Sequence, residues 1–158
     1  MQVENILLQV GIYDEIVNIV KHLDTESYPT TLPGDVYSVG NALVLFLECL
    51  HEPVVPYAYQ ASFLEVCDNG DACKRMVHTL PREHFNVFRY ICAFLRELLK
   101  HRQHNRHNAH TLATTFGGVL IRSKRTKKGG KTNHLRERIE KELKTKFVSH
   151  FLVRHFQW

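Results

Sequence analysis

A chain of 158 residues, 44% hydrophobic and 23% charged, can bury about two-thirds of its unfolded surface in one core, so neither a disulfide nor a metal staple is required. Its four cysteines, Cys49, Cys67, Cys73 and Cys92, form no CxxC pair and match no zinc-finger histidine spacing; each lies in or beside an apolar helical pattern and reads as a reduced, packed thiol. The net charge of +5 invites nucleic acid or anionic lipid, but six Lys or Arg of the excess sit in one acid-free segment, RSKRTKKGGK at 122–131, with no aromatic residue to stack on a base, which excludes tight nucleic-acid binding.

The chain begins MQVENILLQVGIYDEI, an apolar run at 6–12 interrupted by Gln9 and Gly11. A helix is expected at about 12–23, from Ile16, Ile19, Val20 and Leu23, followed by a loop over 24–34. From Asp35, an N-cap after Pro33-Gly34, the set Val36, Val39, Ala42, Leu43, Phe46, Leu47, Leu50 steps by threes and fours along one helical face. Pro53 and Pro56 end that helix near His51. Shorter helices are expected at about 57–67 and 70–79. The longest apolar face runs through Phe85, Phe88, Ile91, Cys92, Leu95, Leu98 and Leu99, with Pro81 suited to the first turn and Glu83 to the helix dipole.

A further helix, Ala109, Leu112, Ala113, Phe116, Val119, Leu120, is capped by Asn105 or Asn108, and Gly117-Gly118 inside it should loosen it by up to ~1 kcal/mol per glycine. The last amphipathic helix, about 133–152, spaces Leu135, Ile139, Leu143, Phe147 and Phe151 four apart. Its Glu137/Lys141, Glu140/Lys144 and Glu142/Lys146 pairs are expected to lace a solvated face. No strand-like alternation or long linker divides the chain, so the reading is one all-α domain over 1–158 with a basic loop at 122–132. No apolar run is long enough for a membrane span and no signal-peptide pattern precedes the first helix, so a cytoplasmic protein is expected.

The chemistry-bearing residue types are scattered. His101, His104, His107 and His110 recur every three residues, but such steps rotate successive side chains around a helix, and a helix end falls among them; no metal site is expected, nor any other cofactor. No nucleophile–base arrangement and no phosphate loop stands out, so the chain itself is not expected to be an enzyme. The basic segment offers Arg122, Lys124, Arg125, Lys127, Lys128 and Lys131 as contacts for an anionic membrane surface, each worth about 1 kcal/mol where it reaches the headgroups.

Three blocks, VGNALVLFLECLHEPVVPY (39–57), LPREHFNVFRYICAFLRELLKH (80–101) and NRHNAHTLATTFGGVLIR (105–122), together resemble the RhoGAP domain family in order and spacing. Within that family the phrasing of HLDTESYPTTLPGDVYSV is most similar to the C-terminal RhoGAP-like domains of OCRL and the type II inositol polyphosphate 5-phosphatases. The resemblance implies an all-helical RhoGAP-like fold, N-terminally truncated, since the family has further helix before the loop at which this chain starts. It also implies a Rho-family GTPase partner of the Rac or Cdc42 type, short adaptor peptides carrying Phe and His, and a place at endosomal, Golgi or plasma membranes.

Active members supply an arginine finger to the GTPase, worth about 10³–10⁵ in rate. Here the residue at the finger position is Gln9. The family's lysine and arginine in the second block correspond to Val44 and Glu48, and its two asparagines to Thr111 and Val119, while Asn105 and Arg106 keep the pattern. These seven are the candidate GTPase-face residues. The replacements remove positive charge or amide donors, which implies a catalytically silent interaction module; the alternative is an active GTPase-activating protein using a non-standard arginine, Arg122 or Arg125.

Overall fold

A computed structural model describes residues 3–25, 31–124 and 134–153, and every regular element in them is helical. In chain order these are α1 (Tyr13–Thr25), α2 (Val36–Cys49), α3 (Tyr57–Glu65), α4 (Gly70–Val77), α5 (Arg82–Lys100), the single turn α6 (Arg102–Asn105), α7 (Ala109–Leu120) and α8 (His134–Val153). The all-α architecture expected from the spacing of apolar residues is the one observed.

Local chemistry sets the boundaries. Asp35 Oδ1 accepts the Ser38 N–H at 2.7 Å and starts α2. Asn69 does the same for Asp71 and Ala72 at the head of α4, both at 3.0 Å. Of the two asparagines that could cap α7, Asn108 does so, its Oδ1 accepting from Thr111 N at 2.8 Å. Pro81 sits at the cap of α5 rather than inside its first turn. After Cys49 the chain leaves helical geometry at Leu50, and Pro53, Val54, Val55 and Pro56 are all buried. The Val55 N–H donates to Leu120 O at 2.9 Å, which ties this proline-bounded connection to the end of α7.

The core is one cluster drawn from Leu7 of the N-terminal segment and from α2–α5, α7 and α8 with their connections, built around Phe63, Phe88, Phe147 and Phe151. Phe63 and Phe147 lie 4.9 Å apart between ring centroids, Phe88 and Phe151 5.1 Å edge-on, distances at which aromatic pairs add to area burial. The contact between α7 and α8 is the most extensive between helices. Gly117 is why: a Cβ there would come within 3.0 Å of the Lys144 carbonyl carbon and 3.1 Å of its oxygen. Expected to weaken its helix, Gly117 is instead the point where a second backbone approaches, while Gly118 faces open space.

Three expectations need correction. Lys144 does not lace a solvated face: it is 6% exposed, its Nζ lies 2.6 Å from Glu140 Oε1 and it donates to Ser123 Oγ at 2.7 Å. The i,i+4 partner is the expected one, but the pair is turned toward the end of α7. Lys146 pairs with Asp68 across to the α3–α4 connection. Second, Leu135 and Ile139 carry the apolar spacing of α8 yet remain 61% and 49% exposed, so only the part of the helix from Leu143 onward joins the core. Third, Cys67, Cys73 and Cys92 are buried thiols as expected, but Cys49, at the end of α2, is exposed. Of the basic loop at 122–132, only Arg122, Ser123 and Lys124 are described; Arg125, Lys127, Lys128 and Lys131 lie outside the described residues.

Candidate functional site

Residues 3–12 form irregular turns, and two missing side chains let them lie flat on α2. A Cβ on Gly40 would meet Ile6 O at 2.5 Å, and one on Gly11 would meet Ser38 Cα at the same distance. Buried Ser38 accepts the Ile12 N–H at 3.0 Å. Further along, the Asn41 amide donates to Gln9 O at 2.8 Å and to Tyr37 O at 3.0 Å, so α2 holds the backbone at residue 9 directly. The Leu8 and Gln9 N–H groups both close onto Asn5 O, at 2.8 and 2.9 Å, with Asn5 itself at φ 53°.

The far side of this segment rests on the turn between α6 and α7. The Asn5 N–H donates to Asn105 O at 2.9 Å, and Glu4 Oε1 meets Arg106 Nε at 3.0 Å. Asn105 is fully buried: its amide donates to Leu98 O at 2.7 Å and its Oδ1 accepts from His107 N at 3.0 Å. Arg106 takes the left-handed conformation at φ 57°, which turns the chain back toward α7. His107 is 2% exposed with both ring nitrogens unpartnered among the described residues, and burial alone pushes its pKa down from the ordinary 6.5. Burial therefore favours the neutral imidazole over the charged one.

Between the seated segment and α2 lies a cleft of about 420 Å³, lined by Leu7, Leu8, Gln9, Val10, Tyr13 and, from the helix, Asn41, Val44, Leu45 and Glu48 among others. The structure thus brings Gln9, Val44 and Glu48 to one place, and among the described residues the only charge in the lining is the carboxylate of Glu48. The mouth is apolar: Val10 is 85% and Tyr13 77% exposed. Asn105 and Val119, two other candidates, are interior, and Thr111 is half-buried at the head of α7. Asn41, Val10 and Tyr13 were not singled out by sequence; positions 41, 44 and 48 share one face of a helix, a spacing that could have added Asn41.

Arg122 is committed elsewhere. Its guanidinium donates to the Glu48 and Leu50 carbonyls and reaches Leu47 O at 3.4 Å and His51 O at 3.5 Å, capping the end of α2 with a cation. Gln60 Nε2 in turn donates to Arg122 O and Val55 O, both at 3.0 Å. Lys124 Nζ lies 5.0 Å from the Tyr57 ring centroid. A second hollow, about 650 Å³ and almost wholly apolar, opens among α1, α2 and α5, where Leu23, Phe46 and Tyr90 stay exposed.

The RhoGAP domain family profile matches residues 1–125. The chain is 42% identical over 123 residues to a type II inositol 1,4,5-trisphosphate 5-phosphatase of Mus musculus, covering 78% of this chain and 12% of that protein. It is 39% identical over 99 residues to Rho GTPase-activating protein 25 of the same organism, covering 57% of this chain and 15% of the relative. The BH domain of Graf, the GTPase regulator associated with focal adhesion kinase, superposes with a TM-score of 0.82 at 15% identity, covering 96% of this chain and 81% of that one. Human Rho GTPase activating protein 15 gives 0.80 at 20% identity, with 96% and 72% covered. At those identities the structural likeness speaks to the fold, which the two share with this chain.

Proposed function

This chain belongs to the RhoGAP domain family, and from that premise we propose that it is a binding module for Rho-family GTPases of the Rac or Cdc42 type that does not accelerate GTP hydrolysis. The observation that carries the reading is the cleft around Gln9. A finger stabilises charge on the transferring phosphoryl group by bringing a guanidinium to it, and a neutral amide cannot replace that full charge. Here Gln9 stands at the finger position, Val44 offers no charge, and Glu48 brings the wrong sign. The backbone here is held without the residue 9 side chain, since Asn41 of α2 donates to the Gln9 carbonyl and the Asn105 carbonyl accepts the Asn5 N–H.

The 42% identity to a type II 5-phosphatase supports placing the module within a phosphoinositide 5-phosphatase-type protein, and a trafficking role with a cytoplasmic place peripheral to endosomal, Golgi or plasma membranes is part of the same proposal. For the adaptor peptides with Phe and His, the apolar hollow among α1, α2 and α5 is the surface with suitable chemistry, because exposed Phe46 and Tyr90 flank a cavity of aromatic dimensions. The alternative of a working activator using Arg122 is disfavoured by the four carbonyls that its guanidinium serves.

Two measurements test the reading together: isothermal titration with GTP-loaded Rac and Cdc42, and single-turnover phosphate release from the same GTPases. Binding with an unchanged intrinsic rate is expected. Acceleration that vanishes in Arg122→Ala or Arg125→Ala would replace the proposal by the activator, and absence of binding to both GTPases and to the adaptor peptides would end it.

A further inference from the structure

At the point where the chain leaves α7, Ser123 closes a three-membered clasp onto α8. Its hydroxyl donates to Glu140 Oε1 at 2.5 Å and accepts from Lys144 Nζ at 2.7 Å, while Lys144 and Glu140 meet at 2.6 Å. Burial pushes the Glu140 carboxyl up, but the hydrogen bonds from Lys144 and Ser123 outweigh it and hold the group below its ordinary value, so it is an anion. The Lys144 side chain is only 7% exposed, whereas Ser123 itself is exposed and outside any helix. The fold is anchored up to Arg122 by the α2 carbonyls, and Ser123 is the first residue beyond that anchor. Lysines and arginines then follow it at 124, 125, 127, 128 and 131.

We propose that Ser123 is a phosphorylation site for a serine kinase that selects a basic C-terminal flank, and that phosphate there opens the clasp between the end of α7 and α8. The Ser123 Oγ–H bond gives way to an Oγ–P bond, the γ-phosphoryl of ATP parts from ADP, and the hydroxyl proton passes to the kinase's base. Such a flank complements an acidic substrate groove.

The consequence follows from donors and charges. A serine hydroxyl can donate to Glu140, whereas a phosphate dianion has no proton to donate and adds negative charge against the carboxylate. Lys144 remains the counter-ion of the phosphate and Glu140 is expelled. Glu140 lies on the part of α8 where Leu135 and Ile139 are exposed, so that end of the helix draws little hold from the core once the clasp opens.

The test uses the 158-residue chain with Thr126→Ala to remove the neighbouring acceptor, ATP and a kinase catalytic domain selective for basic C-terminal flanks, read by tandem mass spectrometry and thermal unfolding. Phosphate on Ser123, lost in Ser123→Ala, is expected to lower Tm by about 2–4 °C. In a Glu140→Gln background the amide can donate to the phosphate, and the fall should disappear. No phosphate on Ser123 would overturn the site; an unchanged or raised Tm of the phosphorylated chain, or an equal fall in the Glu140→Gln background, would overturn the opening.

Discussion

Replacing Gln9 by arginine should leave GTP hydrolysis on Rac or Cdc42 within a few-fold of the intrinsic rate. A working finger contributes about 10³–10⁵ in rate, or roughly 4–7 kcal/mol of transition-state stabilisation. That stabilisation requires the guanidinium to leave the domain surface and point at the nucleotide. In this cleft it would meet Glu48, which lines the same 420 Å³ space as Gln9. At ~5 Å and an effective dielectric between about 20 and 80, that attraction is about 1–3 kcal/mol, enough to draw the new side chain toward α2. Nothing at Val44 would push it outward. Adding Val44→Lys and Glu48→Arg reverses both effects, so the triple variant should exceed Gln9→Arg by at least tenfold in single-turnover phosphate release at saturating domain. If Gln9→Arg alone accelerates hydrolysis a hundredfold or more, the charge environment assigned to this cleft is wrong.

Gly40→Ala should destabilise the chain by about 1–3 kcal/mol, because its methyl would have to displace the Ile6 carbonyl; Gly118→Ala, facing open space within α7, should instead stabilise by up to ~1 kcal/mol, and urea unfolding of both reads the contrast. Arg122→Ala removes the cation from the α2 carbonyls and should cost about 1–3 kcal/mol in the same assay, with Arg122→Lys recovering only part because one ammonium cannot serve the planar array. His107 binds protons less readily folded than unfolded, so the unfolded chain takes up more protons as pH falls below the ordinary value of 6.5; stability from this group is full above that pH and declines below it, and His107→Leu should flatten the decline in denaturation midpoints measured between about pH 7 and 5.

Helix positions were legible because each core helix writes its apolar face at steps of three and four, and Asp35 and Asn108 are side chains whose oxygens close the first turn. The convergence of Gln9, Val44 and Glu48 was legible through the family resemblance, not through any local signal. Other placements depended on packing between elements. Glu140 and Lys144 have the spacing of a surface ion pair whether or not another helix lies above them, and only the approach of the α8 backbone to Gly117 decides that Lys144 is buried. Val119 belongs to the apolar stripe of α7 as well as to the aligned asparagine position, and at 4% exposure the stripe describes it. The polarity of Asn105 gave no hint of burial, since an asparagine whose amide and carbonyl are both satisfied by backbone is as stable inside as out.

The cleft separates what holds the N-terminal segment from what that segment would present to a partner. Gly11, Ser38, Gly40 and Asn41 position it through close approach and backbone hydrogen bonds, and Asn105 holds its other side through a carbonyl; none of these contacts involves the side chain of Gln9. The identity of residue 9 is therefore free to change without loss of the platform, and the same holds for Glu48, whose carbonyl rather than carboxylate engages Arg122. Charge at the site can be inverted at little cost to folding. Under the proposed function, a domain with this arrangement would offer a GTPase a surface without the positive charge that acts on its nucleotide, so binding without turnover is the outcome the proposal expects.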